Sequence, residues 1–201
     1  MIRCVIFDLG QVIVPFEIER GYRAFAQVCP HSPEELRCRV LSTGLVPRFE
    51  RGEIEPRDFV ERICSALDLK VTYDEFCRLW SSIFLPETLV PEALVAGIRS
   101  RRRTLLLSNT NAIHFEMIRE NYPIIRHFDG CILSHEVKAM KPAPEIYRAA
   151  IASAGCRPEE IFFIDDIAEY VEAARREGID AVQFHGREQL EQELSARGID
   201  W

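Results

Sequence analysis

Four short segments of this 201-residue chain carry side chains suited to holding a divalent cation beside an anion. Asp8 follows the apolar run Cys4-Val5-Ile6-Phe7 and precedes Leu9-Gly10. Ser108-Asn109 follows Thr104-Leu105-Leu106-Leu107, Lys138 and Lys141-Pro142 come after Gly130-Cys131-Ile132-Leu133, and Asp165-Asp166 closes Ile161-Phe162-Phe163-Ile164. Each has a plain structural reading when taken singly: Asp-x-Gly as a turn, Ser-Asn as a helix cap, Lys-Pro as a surface turn, Asp-Asp as a cap. Their joint occurrence, in order and each tied to the end of a strand-like run, is what points to chemistry. The hard oxygens of Asp8 and Asp166 suit Mg²⁺, which keeps one or two carboxylates, several waters and a substrate phosphate. Ser108 and the backbone amides after it can donate to phosphoryl oxygens, and Lys141 supplies a point charge. Lysine is scarce here, since Lys70, Lys138 and Lys141 are the only lysines among 25 basic residues.

Residues with these roles must be brought together by the elements between them. The run ending at Phe7 reads as a strand buried on both faces, which places Asp8 at its carboxyl end, the edge where open parallel sheets bind ligands. From about Phe16 to Phe84 the pattern is helical throughout, with Ile18, Tyr22, Phe25 and Cys29 at one helical spacing and Phe76, Trp80 and Phe84 at another. Ser32-Pro33-Glu34-Glu35 and Thr72-Tyr73-Asp74-Glu75 are start signals of the capping-box kind. Beyond Pro91, helices predicted at 91–101, 111–121, 144–153, 167–177 and 187–197 alternate with strands at 104–107, 130–133, 161–164 and 181–184. Such alternation implies right-handed βαβ units and a parallel sheet covered by helices on both faces. The fold class expected is therefore a doubly wound α/β core, residues 1–15 and 87–201, carrying an inserted helical cap over 16–86.

Composition narrows the partners. A net charge of −7 argues against nucleic acid, which calls for a basic surface, so a phosphate must be met by local positive charge. Seven cysteines, odd in number and never in a C-x-x-C pair, suit reduced thiols better than a disulfide framework or a zinc site. The start Met-Ile-Arg-Cys has no signal-peptide character, and no apolar stretch approaches the ~18 residues of a membrane span. The expectation is a cytoplasmic protein without a membrane segment.

Val-Ile-Phe-Asp-Leu-Gly-Gln-Val, Leu-Leu-Leu-Ser-Asn-Thr-Asn, Lys-Pro-Ala-Pro-Glu-Ile-Tyr and Phe-Phe-Ile-Asp-Asp resemble, in order, the four motifs of the haloacid dehalogenase-like (HAD) hydrolases. The helical insertion after the first motif is similar to the small α-helical cap of subfamily I, and the resemblance covers essentially the whole chain. It implies a Rossmann-like core and Mg²⁺-dependent hydrolysis of a small phosphorylated metabolite through an aspartyl-phosphate. By position, Asp8 is implied to be nucleophile and metal ligand, Ser108 and Asn109 to hold phosphoryl oxygens, and Lys141 to neutralise charge on Asp8 and the phosphoryl group. Asp166, assisted by Asp165, is implied to complete the metal site. Sugar phosphates are the implied substrate class, since small caps in this family often enclose them.

One departure from the family pattern stands out. Phosphatases of the family usually carry Asp two residues after the nucleophile, and here that position is Gly10. Its backbone carbonyl can still bind Mg²⁺, but the general acid/base, typically worth about 10²–10⁴ in rate, is gone. This leaves open a phosphatase using water or a cap carboxylate such as Glu50 or Glu53, and a weak or inactive phosphate-binding module. A dehalogenase fits less well, since that branch carries tyrosine at this position. The polar cap segment Pro47-Arg48-Phe49-Glu50-Arg51-Gly52-Glu53-Ile54 reads as a loop over the site, with Arg48, Phe49, Glu50 and Arg51 as specificity candidates. Val14-Pro15 and Leu85-Pro86 read as hinges. Arg99-Ser100-Arg101-Arg102-Arg103 reads as a helix end favouring cations, and of the scattered histidines only His114 is positioned to approach the crevice.

Overall fold

The computed structural model describes all residues from Met1 to Trp201. Five parallel strands, β1 (Cys4–Phe7), β2 (Arg103–Ser108), β3 (Gly130–Leu133), β4 (Ile161–Asp165) and β5 (Asp180–Gln183), form one sheet in the order β3-β2-β1-β4-β5. Successive side chains of a strand point to opposite faces, and here both faces are covered. Val5 and Phe7 of β1, with Phe162 and Ile164 of β4, join one apolar cluster; Cys4 and Ile6, with Ile161 and Phe163, join the other. The first layer holds residues of α6 (Glu92–Arg99), α7 (Ala112–Asn121) and α11 (Arg187–Ala196). The second holds residues of α9 (Pro144–Ala154) and α10 (Ala168–Arg176), and a one-turn helix α8 (Ser134–Val137) follows β3.

The chain builds outward from β1 through β2 to β3, then crosses back to β4 on the other side of β1. That reversal opens a crevice at the carboxyl ends of β1 and β4, the place where such sheets accept ligands. Register fixes what meets there. Phe7 pairs with Ile164, and the Asp8 N–H donates to the Ile164 carbonyl at 2.9 Å, so Asp8 and Asp165 stand side by side.

Between β1 and α6 lie five helices: α1 (Ile18–Phe25), α2 (Pro33–Thr43), α3 (Leu45–Glu50), α4 (Pro56–Ala66) and α5 (Tyr73–Trp80). Their apolar faces bury a separate cluster around Phe25, Phe49, Phe59 and Phe76, to which α7 contributes Ile113. The α2 start is a full capping box, Ser32 accepting from the Glu35 N–H and Glu35 accepting from the Ser32 N–H. At α5 only one half is made, Thr72 accepting from the Glu75 N–H. The two connections to the sheet pair with each other: the Leu85 N–H donates to the Pro15 carbonyl and the Glu17 N–H to the Ile83 carbonyl, both at 2.9 Å. No helix is long and apolar enough to cross a membrane, and all seven cysteines are unpaired.

The segment 47–54 departs from the polar loop expected. Its first half is helical, because Leu45 and Phe49 provide an apolar face that the cap core buries, and Phe49 stacks on Phe59 at 4.1 Å. Phe49 is therefore a core residue and not a specificity residue. The arginine-rich stretch 99–103 is structural, as read: Arg99 binds Asp129 and the Arg126 carbonyl, and Arg101 pairs with Asp200.

Candidate active site

At the carboxyl edge of the sheet, the Lys141 ammonium lies 2.8 Å from Asp8 Oδ1 and 2.6 Å from Asp165 Oδ2. All three are buried, with Lys141 2% and Asp165 0% exposed. The loop carrying Lys141 is held by Asn109, whose side-chain amide donates to the Lys141 carbonyl at 2.9 Å while its oxygen accepts from the Lys141 N–H at 2.8 Å. Asp8 Oδ1 also accepts from the Leu9 N–H at 2.7 Å, which leaves Oδ2 without a protein donor. Asp165 Oδ1 accepts from the Ile167 N–H. Asp166 beside it is only half-buried and enters no ion pair.

Charge in this crevice does not balance. One carboxylate oxygen from each of Asp8, Asp165 and Asp166 lies within 4.8 Å of the others, against a single lysine. Burial pushes the Asp8 carboxyl up to about 7, with Lys141 opposing and Asp165 reinforcing the rise. Asp166 is raised by burial and then by Asp165. Burial disfavours the Lys141 charge, but the two aspartates outweigh it and hold the ammonium above its ordinary value. Hard oxygens with a surplus of negative charge fit a divalent cation of the Mg²⁺ type. The Gly10 carbonyl, which receives no backbone hydrogen bond, fits as a further donor.

The structure brings Asp8, Lys141, Asp165, Asp166 and Ser108 to one edge as the spacing implies. Asn109 lines the cavity, and its side chain clasps the Lys141 backbone. Arg48 is not brought to the site: it is exposed, bonds Glu53 at 3.1 Å, and does not line the cavity between cap and core. Arg51 likewise turns to Glu53, at 2.7 Å. Glu50 does line that cavity, together with Gly10, Ser108, Asn109 and His114. Lys138 serves as a cap contact, its ammonium bonding the Gly52 carbonyl.

Several neighbours carry no motif signal. Phe16, Tyr22, Trp80 and Phe84 make much of the cavity wall, and the helical spacing of Tyr22, Trp80 and Phe84 reads only as core. Tyr170 places its ring 5.1 Å from the Lys141 ammonium and its hydroxyl 3.4 Å from Asn109. Ser134, fully buried, donates to the Glu50 carbonyl at 2.6 Å and accepts from the Thr110 N–H at 2.9 Å, tying cap to core. His114 is sandwiched by Trp80 and Phe84, bonded to Asn111 and the Trp80 carbonyl, and pushed by burial down to about 4.

Comparison with known families agrees with this geometry. The model described as haloacid dehalogenase-like hydrolase matches residues 2–178. The chain belongs to the haloacid dehalogenase-like hydrolases. Within that family it is similar to a D-ribitol-5-phosphate phosphatase of Bacteroides thetaiotaomicron, 26% identical over 97% of this chain and 98% of the relative. A phosphorylated carbohydrates phosphatase of Thermotoga maritima is 28% identical, over 89% of this chain and 82% of the relative. A HAD family enzyme of Bacteroides thetaiotaomicron, solved with magnesium and inorganic phosphate, superposes with a TM-score of 0.82 at 28% identity, covering 92% of this chain and 96% of its own.

Proposed function

We propose that this HAD-family hydrolase is a Mg²⁺-dependent phosphatase acting on a small phosphomonoester, of the sugar phosphate class, through an aspartyl-phosphate on Asp8. The observation that carries the reading is the buried Lys141 bridge between Asp8 and Asp165, with Asp166 alongside. A lysine in this position draws Asp8 to a fixed orientation and offers its charge to an incoming phosphoryl group. Ser108, buried at the end of β2 and on the cavity wall, would donate to a phosphoryl oxygen. Asp8, Asp165, Asp166 and the Gly10 carbonyl would hold Mg²⁺, which when bound supplies positive charge to the phosphoryl oxygens and to Asp8. Relatives named for ribitol phosphate and phosphorylated carbohydrates support the substrate class. Seven unpaired thiols support a reducing compartment such as the cytoplasm.

In the forward step, Asp8 attacks phosphorus, the bond to the leaving oxygen breaks, and water then releases inorganic phosphate from the acyl phosphate. Closure of the cap through the paired connections at 13–17 and 83–89 would keep bulk water from the intermediate.

A second reading, a phosphate-binding module with little turnover, draws on Gly10. A Cβ there would lie 2.8 Å from the Phe16 ring, so the usual place of the acid is filled by an aromatic side chain. Release of phosphate from p-nitrophenyl phosphate and D-ribitol 5-phosphate, with Mg²⁺ and with EDTA, separates the two. Metal-dependent turnover of the aryl ester supports the phosphatase. Phosphate binding without turnover of either ester supports the module.

A further inference from the structure

A sugar phosphate leaves as an alkoxide of high basicity, and its departure calls for a proton donor that position 10 does not provide. The phosphatase reading above therefore raises the question of where the proton comes from, and the inference here rests on that reading. The cavity between sheet edge and cap, about 350 Å³, answers it. Among the residues around it, Glu50 is the single carboxylate. His114 has both ring nitrogens engaged, with Asn111 and the Trp80 carbonyl, and Tyr22 is held above its ordinary phenol range by burial, so neither competes as a donor near neutrality.

Glu50 differs from Glu53, the other acid of the segment 47–54, in having no partner. The arginines on either side of it, Arg48 and Arg51, both turn away to Glu53, and no side chain or backbone donor bonds the Glu50 carboxylate. Its backbone is nevertheless fixed: Ser134 donates to its carbonyl and Lys138 to the Gly52 carbonyl two residues on, so this corner of the cap is bonded to the core beside Thr110. Gly52 permits that approach, with a φ of 65° and the position of a Cβ only 2.0 Å from the His135 carbonyl oxygen. Glu50 is half-buried, and a carboxylate taken partly out of water without a partner normally carries a cost with no structural return.

We propose that Glu50 is the general acid/base of this enzyme, supplied from the cap in place of the aspartate absent at position 10. In the first half-reaction an Asp8 oxygen bonds to phosphorus while the ester P–O bond breaks. Protonated Glu50 gives its proton to the departing oxygen, leaving an alcohol, the aspartyl-phosphate and ionised Glu50. In the second, Glu50 takes a proton from water as the hydroxide oxygen bonds to phosphorus. The P–O bond to Asp8 then breaks, releasing inorganic phosphate and restoring ionised Asp8 and protonated Glu50.

Burial raises the Glu50 carboxyl to about 7, with Arg51 the one charge drawing it back, so both protonation states are accessible near neutral pH. The other titratable groups lining the cavity are Tyr22 from α1 and His114 from α7, and α8, packed against α3, carries His135 and Glu136 with Lys138 after it.

The test is transient and steady-state kinetics of the full chain with Mg²⁺, wild type against Glu50→Gln and Glu50→Asp, on p-nitrophenyl phosphate and D-ribitol 5-phosphate. For Glu50→Gln, turnover of the alkyl ester is expected to fall by about 10²-fold or more, since a positioned acid/base is typically worth about 10²–10⁴. The aryl ester, whose leaving group needs no acid, is expected to give a nitrophenolate burst of about one per enzyme followed by slow turnover, because only the second step lacks its base. Alkyl kcat/KM of wild type should decline above about pH 7, a limb that Glu50→Gln loses and Glu50→Asp retains at a reduced rate. Unchanged alkyl turnover and an unchanged limb in Glu50→Gln overturn the assignment while leaving the phosphatase reading intact. So does equal loss of alkyl turnover and of the aryl burst, which would mark a structural role. Absence of a burst and of turnover in wild type overturns the phosphatase reading itself, and the assignment with it.

Discussion

Sheet edge and cap are built on opposite plans. At the sheet edge, beside the cavity, Asp8, Lys141 and Asp165 are buried and paired with one another, and half-buried Asn109 clasps the Lys141 backbone. On the cap side, Tyr22, Phe25, Val40, Trp80, Ile83 and Phe84 present apolar surface, and the one charge among them, Glu50, is unpaired. A fixed polar wall suits the part of the reaction that never changes, the phosphoryl group. The cap wall faces the part that differs between substrates, and its single carboxylate makes no ion pair or hydrogen bond, with burial outweighing the pull of Arg51.

The largest effect is expected from removing Asp8, the proposed nucleophile, at the sheet edge. Asp8→Asn keeps the shape of the side chain and should lower turnover of every ester by at least about 10³-fold, with esters of either leaving group affected alike, as steady-state rates will read. Lys141→Met leaves Asp8 and Asp165 facing each other without compensation in a buried site. Loss of one partner of such a pair costs about 3–5 kcal/mol, and denaturant unfolding without metal should register it.

A smaller effect separates the walls by pH. Glu50 has a folded-state value raised above its unfolded one, so its stabilising contribution is complete below about pH 4.5 and is lost as pH rises to about 7. Glu50→Gln should abolish that decline, making the variant more stable than wild type at pH 8 by on the order of 1–3 kcal/mol in urea unfolding. The smallest effect belongs to Arg48→Ala. Its pair with Glu53 is exposed and screened by solvent, so stability should barely change, and neither kcat nor KM should move, since the side chain stays outside the cavity. A rise in KM would return Arg48 to the substrate wall.

The difference between the walls also explains how much was legible in the sequence. The sheet side was readable because three of its residues directly follow an apolar run, Asp8 after Phe7, Ser108 after Leu107 and Asp165 after Ile164, and Lys141 lies in the loop beyond a fourth. Strand ends converge on one edge by topology alone. Asn109 shows where that reading stops, since a sequence does not say which partner a side-chain amide takes, here the Lys141 backbone. The cap side was hidden because Tyr22, Trp80 and Phe84 have the spacing of any helical core, and helices can meet at many angles. Phe49 sits in a segment of arginines and glutamates that reads as a loop, and only its stack on Phe59 reveals a helix packed inward. Glu50 could be named as a candidate beside Glu53, but the choice between them depends on which acid the two arginines take.

The central claim is that Asp8 receives the phosphoryl group covalently, and rapid quenching of the enzyme with p-nitrophenyl phosphate and Mg²⁺, followed by peptide mass spectrometry, tests it directly. The account predicts an acid-stable, base-labile phosphoryl adduct on the peptide containing Asp8, absent with EDTA and absent in Asp8→Asn. Turnover that proceeds with no adduct on that peptide, or with the adduct on another residue, would contradict it.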